Sequence, residues 1–154
     1  MDAAVARRVE LPTTTESGEC VFCAIAAGRA PASVVHEDDE LVVIMDLRPV
    51  TTGHVLVLPK AHHVGLADLP AELGGRMFQV AQRAGAAVRA SGRVRCEGIN
   101  LFLADGVAAG QEVFHVHLHV IPRYAKDGFR LSADWRVRQR GELDEMAAAL
   151  RAVW

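Results

Sequence analysis

Three histidines at alternate positions, in the run His115-Val116-His117-Leu118-His119-Val120, constrain this chain more than any other feature. A two-residue period is that of a strand, which sends successive side chains to opposite faces, so the run predicts one imidazole face and one aliphatic face. Imidazoles two positions apart would stand about 6.6 Å from each other at about 3.3 Å of rise per residue, close enough to work on one substrate group or to bind separate centres. Histidines on the wet face of a half-buried strand could be idle, but such a face ordinarily mixes Thr, Lys and Glu.

Composition frames that run. At 154 residues the chain is most simply one domain, long enough to bury about two-thirds of its unfolded surface. A formal charge of −2, with 51% hydrophobic and 23% charged residues, offers no charged field for nucleic acid or a membrane. Residues 1–17 carry Arg7, Arg8, Glu10 and Thr13-Thr14-Thr15-Glu16, which interrupt the apolar core a leader peptide needs. No stretch approaches the roughly 18 apolar residues of a membrane span. The expectation is a cytoplasmic protein in which residues 1–17 form a flexible arm and 18–154 a single domain with a C-terminal extension. Three cysteines, two of them in Cys20-Val21-Phe22-Cys23, suit a reducing compartment rather than a disulfide framework.

Along the chain, Cys20 and Cys23 have the spacing that lets two thiolates reach one zinc from a tight turn, although a redox pair or two unremarkable thiols have the same spacing. Residues 24–30 predict a short helix ended by Gly28 and Pro31. Ser33 to Glu37 and Leu41 to Met45 read as a hairpin with an acidic turn, and His54 to Leu58 as a buried central strand ended by Pro59. Asp68 and Pro70 open a helix that Ser91-Gly92 closes, with Leu73, Met77, Val80, Ala84 and Val88 as its buried stripe. Gly85 within it weakens the helix unless another element approaches closely. Residues 98–103 read as a further strand, and Glu142 to Trp154 as a helix covering the sheet or the rim of the site. Asp46 closes the second strand, where it is a turn residue or an acceptor for both hydroxyls of a ribose. Phe22, Ile25 and Ile44 either sandwich a base or belong to the core.

The triad run closes on Ile121, follows Ala109-Gly110-Gln111 and precedes Pro122-Arg123. Histidine alternating with apolar residues in this setting resembles the signature of the histidine triad (HIT) family, nucleotide hydrolases and transferases that cut at the α-phosphate. The likeness runs from about Cys20 to Arg123. It implies an α+β fold, an antiparallel sheet of about five strands with one long helix and a C-terminal helix, pairing as a homodimer. It implies that His117 is the nucleophile, that His119 bonds the phosphate and shares protons, and that the His54 of Gly53-His54 orients the triad. It implies a structural zinc on Cys20, Cys23, the His62 of Pro59-Lys60-Ala61-His62, and His115. Asp46 would hold the ribose of a purine nucleotide, and the Gly110-Gln111-Glu112 loop would lie against the phosphate.

Imidazole suits such chemistry because its pKa lies near 7, provided the other ring nitrogen is bonded so that the attacking one is aimed. Two departures from the family pattern stand out. Glu112 takes the place of a hydroxyl residue and would repel a phosphate unless it points away or is protonated; Ala104 stands where the phosphoramidase branch has Asn. The expected activity is hydrolysis of an adenosine phosphoramidate-type substrate. The rivals are a dinucleoside polyphosphate hydrolase, favoured by Asp105-Gly106 and the C-terminal extension, a nucleotide sensor whose chemistry Glu112 has spoiled, and a metallohydrolase using all three histidines as ligands.

Overall fold

The computed structural model describes residues 11–154. Two apolar runs form the centre, β2 (Leu41–Met45) and β3 (Val55–Pro59), paired antiparallel with Val43 opposite Val57. Both are buried throughout except Met45, which explains why they lack polar alternation. Leu41, Val43, Val55 and Val57 point to one face, while Val42, Ile44, Leu56 and Leu58 point to the other. β1 (Val34–Glu37) joins β2 through the acidic turn, where Asp38 Oδ1 accepts the Glu40 and Leu41 N–H groups at 2.9 and 2.8 Å. β4 (Gly98–Phe102) and β5 (Leu118–Arg123) complete a five-stranded antiparallel sheet in the order β1-β2-β3-β5-β4.

One face is covered by α2 (Ala71–Ala90), whose Met77, Val80, Ala81 and Ala84 pack on Leu41, Val43, Leu118 and Val120. Gly85 lets the sheet approach closely: a Cβ on it would stand 2.7 Å from Ile99 Cδ1 and would push that side-chain end aside. The other face carries α1 (Val21–Ala26), which seats Phe22 on Val42, Ile44, Leu56 and Leu58. This is the histidine face, because His119 lies opposite Leu56 in the β3–β5 ladder.

Three elements differ from the sequence expectation. The first helix begins at Val21 rather than 24, so Cys20 immediately precedes it and Cys23 lies inside it. It stops early because Gly28 turns left-handed and the N–H groups of Arg29 and Ala30 fold back onto the Ala24 carbonyl. The triad run enters the ladder only at Leu118, so His115 and His117 lie in the approach to β5, where Val116 N–H bonds to the His63 carbonyl at 2.6 Å. The side-chain alternation survives, with Val116, Leu118 and Val120 buried. Finally, α3 (Arg140–Arg151) buries no residue, and its Leu143, Met146 and Leu150 stay exposed. Both sheet faces are already covered by α1 and α2, which leaves α3 no core surface to close.

Residues 1–10 of the expected arm lie outside the described residues; in the remainder Thr14 forms an isolated bridge with Cys20. Among the described residues no helix is long and apolar enough to cross a membrane.

Candidate active site and metal centre

Cys20 and Cys23 sit three residues apart at the start of α1, which turns both sulfurs to one side of the helix. His62 follows the end of β3, and fully buried His115 precedes β5. Their four donor atoms lie within 4.8 Å of one another. Cys20 Sγ is 3.7 Å from His115 Nδ1, and Cys23 Sγ is 3.5 Å from His115 Nδ1 and 3.2 Å from His62 Nδ1. A tetrahedral zinc with bonds of about 2.3 Å to sulfur and about 2.0 Å to nitrogen spaces such donors about 3.5 Å apart, so the four residues fit that ion. His115 donates its Nε2 proton to the Pro59 carbonyl at 2.8 Å, which leaves the Nδ1 lone pair facing the sulfurs. Burial lowers the His115 pKa to about 4, so it is neutral and ready to ligate. Burial, then the neighbouring Cys20, push the Cys23 thiol up to about 11; two adjacent thiolates need a cation between them.

The other histidines form a directional chain of hydrogen bonds. Val50 N–H donates to His54 Nδ1 at 3.1 Å, which places the His54 proton on Nε2. That proton is given to His119 Nδ1 at 2.8 Å, so the His119 proton is on Nε2. His117 donates Nδ1–H to the His115 carbonyl at 2.7 Å and keeps an unprotonated Nε2. The rings of His117 and His119 are 4.9 Å apart, and Phe22 meets His117 edge-on at 5.1 Å. A lone pair and an N–H donor thus stand side by side. Burial is the first cause lowering the pKa of His54, His117 and His119, the last to about 4; all three are neutral at pH 7.

Asp46, at the end of β2, places Oδ2 3.4 Å from His54 Nε2 and 3.8 Å from His119 Nδ1, while its Oδ1 accepts the Arg48 N–H at 2.7 Å. Asp46, His54 and His119 are close enough to hold an ion. The proton assignment makes them a relay instead, since freeing His54 Nε2 for a metal would put a proton on Nδ1, against the Val50 N–H. Among the described residues the triad is therefore divided: His115 belongs with the cysteines, His119 with Asp46 and His54, and His117 with neither candidate ion site.

The remaining candidates separate. Ile25 lines a cavity of about 430 Å³ with Ala26, Ala30, Pro31 and Val42, while Phe22 and Ile44 are buried in the core and do not line it. Gly110 adopts φ 86° to end the single 3-10 turn Val107–Ala109. Gln111 is buried, and its amide accepts Gly106 N–H at 2.7 Å and donates to the Val64 carbonyl at 2.6 Å, so it pins the loop from within. His63, next to His62, is half-buried. Glu112 is ion-paired with Arg48 at 2.5 Å. Arg48 is the residue that sequence reading missed: the only signal was a cation two places after Asp46 that could answer the anomalous carboxylate 64 positions later.

A family model described as HIT domain matches residues 27–126. An uncharacterized HIT-like protein of Mycobacterium tuberculosis is 44% identical over 128 residues, covering 83% of this chain and 86% of that protein. Adenylylsulfatase HINT3 of Arabidopsis thaliana is 35% identical over 142 residues, 92% of this chain and 70% of the plant protein. A crystal structure of a Zn-bound histidine triad family protein from Mycobacterium smegmatis superimposes with a TM-score of 0.66 at 42% identity, covering 88% of this chain and 97% of that one.

Proposed function

The chain belongs to the HIT family, and on that premise we propose that it hydrolyses purine nucleotides at the α-phosphate through a covalent nucleotidyl-His117 intermediate. The observation that carries this reading is the pairing of an unprotonated His117 Nε2 with a protonated His119 Nε2 on adjacent rings. In the first step the His117 Nε2 lone pair attacks phosphorus and the bond to the leaving group breaks, its electron pair departing with that group. An amine leaving group takes the His119 Nε2 proton. Water then attacks phosphorus and gives a proton back to His119, while the bond from phosphorus to His117 Nε2 breaks with its electron pair returning to that nitrogen, which releases the nucleoside monophosphate. His54 and Asp46 keep His119 in the tautomer that can donate. Asp46, at the end of β2, is also the carboxylate for the ribose, and Phe22, Ile25 and Ile44 are the apolar set offered to the base.

Cys20, Cys23, His62 and His115 would hold zinc, which with four protein ligands and no open position supplies cross-linking and no chemical step. It would tie α1 to the segment whose His115 carbonyl aims His117. The adenylylsulfatase relative supports an adenylate as substrate, here an adenosine phosphoramidate or a related ester. Asp105, the residue that favoured a dinucleoside polyphosphate substrate, accepts the Leu66 N–H at 3.3 Å and lends that rival no support. Glu112 carries its own counter-cation, which weakens the case for a spoiled, non-catalytic site. Exposed Leu101 and Phe102 on edge strand β4 are the kind of surface that pairing of two copies as a homodimer would cover.

The test is rapid-quench mass spectrometry with adenosine phosphoramidate. An adenylyl group should appear on the peptide bearing His117, and His117→Ala should remove the adduct and cut turnover by roughly 10⁴-fold or more. Substrate consumption without an adduct on that ring overturns the proposal.

A further inference from the structure

We infer that Arg48 is a substrate-recognition residue of this site: paired with Glu112 at the rim, its guanidinium receives negative charge carried beyond the α-phosphate, so the protein favours nucleotides whose leaving group is an anion. The inference rests on the reading of His117 and His119 as the α-phosphate site.

The pair joins two rims that the sequence keeps apart. Arg48 lies two residues past Asp46, and its own N–H is fixed to Asp46 Oδ1 at 2.7 Å. Glu112 lies three residues before His115 on the approach to the triad. Their side chains meet at 2.5 Å with 35% and 45% of their surfaces exposed, so a ligand entering from solvent reaches both. The carboxylate that fixes the Arg48 backbone has its other oxygen, Asp46 Oδ2, 3.8 Å from His119 Nδ1, which puts the pair beside the reacting groups.

A carboxylate alone in that position opposes an incoming phosphate; one bonded to a guanidinium does not present a bare charge. A guanidinium has five N–H donors in one plane and can hold a carboxylate on one edge and an oxyanion on another. The chemistry then divides by leaving group. A neutral amine departs with the bond's electron pair and must collect the His119 proton. A sulfate or phosphate departs with the same electron pair as a stable anion, needs no proton, and gains from a cation at its oxygens. Arg48 therefore discriminates between the two kinds of substrate rather than assisting both equally.

Binding and turnover test this separately. Calorimetric titration of His117→Ala protein, which cannot form the adduct, should find ADP bound roughly tenfold more tightly than AMP. Adding Arg48→Gln should bring that ratio to about one while AMP affinity changes about twofold or less, and Arg48→Lys should retain part of the preference. In protein with His117 intact, Arg48→Gln should lower kcat/KM for adenosine 5′-phosphosulfate roughly tenfold and for the phosphoramidate threefold or less. If AMP binds but Arg48→Gln leaves the ADP preference and the substrate ranking unchanged, or lowers both substrates alike, the inference is overturned while the proposed function stands. If the ADP preference depends on Arg48 but no adduct forms on His117, the covalent mechanism falls and the inference survives. Failure to bind either nucleotide overturns both.

Discussion

His115 and His119 are four residues apart in one run, the first buried and the second half-buried, and loss of solvent brings both to a pKa of about 4, yet the structure commits them to opposite tasks. His115 gives its Nε2 proton to the Pro59 carbonyl, so its second nitrogen is a lone pair aimed at Cys20 and Cys23. His119 receives the Nε2 proton of His54 on its Nδ1, so its second nitrogen is a donor. The distinction begins in the backbone: a carbonyl makes one imidazole a ligand, and an N–H group, that of Val50 acting through His54, makes the other a proton source. His117, between them, has a carbonyl partner like His115 but no sulfur beside it in the candidate ion site, which leaves its lone pair for chemistry.

The largest effect that could break this comparison is on the metal. Cys23→Ser should lower zinc affinity at least about 100-fold, measured by competition with a chelator, while His117→Ala and His54→Leu leave it unchanged. Zinc lost with His117 and kept without Cys23 would reverse the two ends. At the other end, His54→Leu should lower kcat about 10- to 100-fold with zinc content intact, because His119 loses the group that sets its tautomer. His54→Gln, which can still accept from Val50 and donate to His119, should recover part of the loss; equal defects would reduce His54 to a packing role. The smallest effect is on acid stability. His119 is neutral in the folded protein down to about pH 4, whereas an unfolded imidazole protonates near 6.5, so the unfolded state binds more protons in between. Stability should thus be full above about pH 6.5 and decline as the pH falls toward 4. Melting curves of His119→Gln should show a decline that is shallower by roughly a few degrees in Tm; identical slopes would mean that His119 is not held neutral by burial.

Much of the fold was legible because periodicity reports burial directly. The β2 and β3 runs read as strands since both faces of the central sheet are covered, and the α2 stripe from Leu73 to Val88 read as a helix because one side packs on that sheet. Local boundaries failed where long-range groups decided them. The first helix starts at Val21, a shift that moves the cysteine pair from a turn to the start of a helix, Cys20 just before it and Cys23 within it. Likewise His115 and His117 stand outside the β5 ladder, although their alternation with Val116 was readable. The apolar stripe of α3 suggested burial, but no pattern within it could reveal that both sheet faces were already taken.

By itself the sequence offered the candidates: spacing paired Cys20 with Cys23 and alternation aligned the three histidines, while the resemblance to the HIT family supplied His62 and the division of roles. It could not assign a proton to any imidazole, nor pair Arg48 with Glu112. Those depend on partners such as the Pro59 carbonyl, 56 positions from His115, and on a cation 64 positions from its carboxylate. A ring nitrogen becomes a base or an acid according to the single group facing the other nitrogen, and only the folded chain brings that group into place.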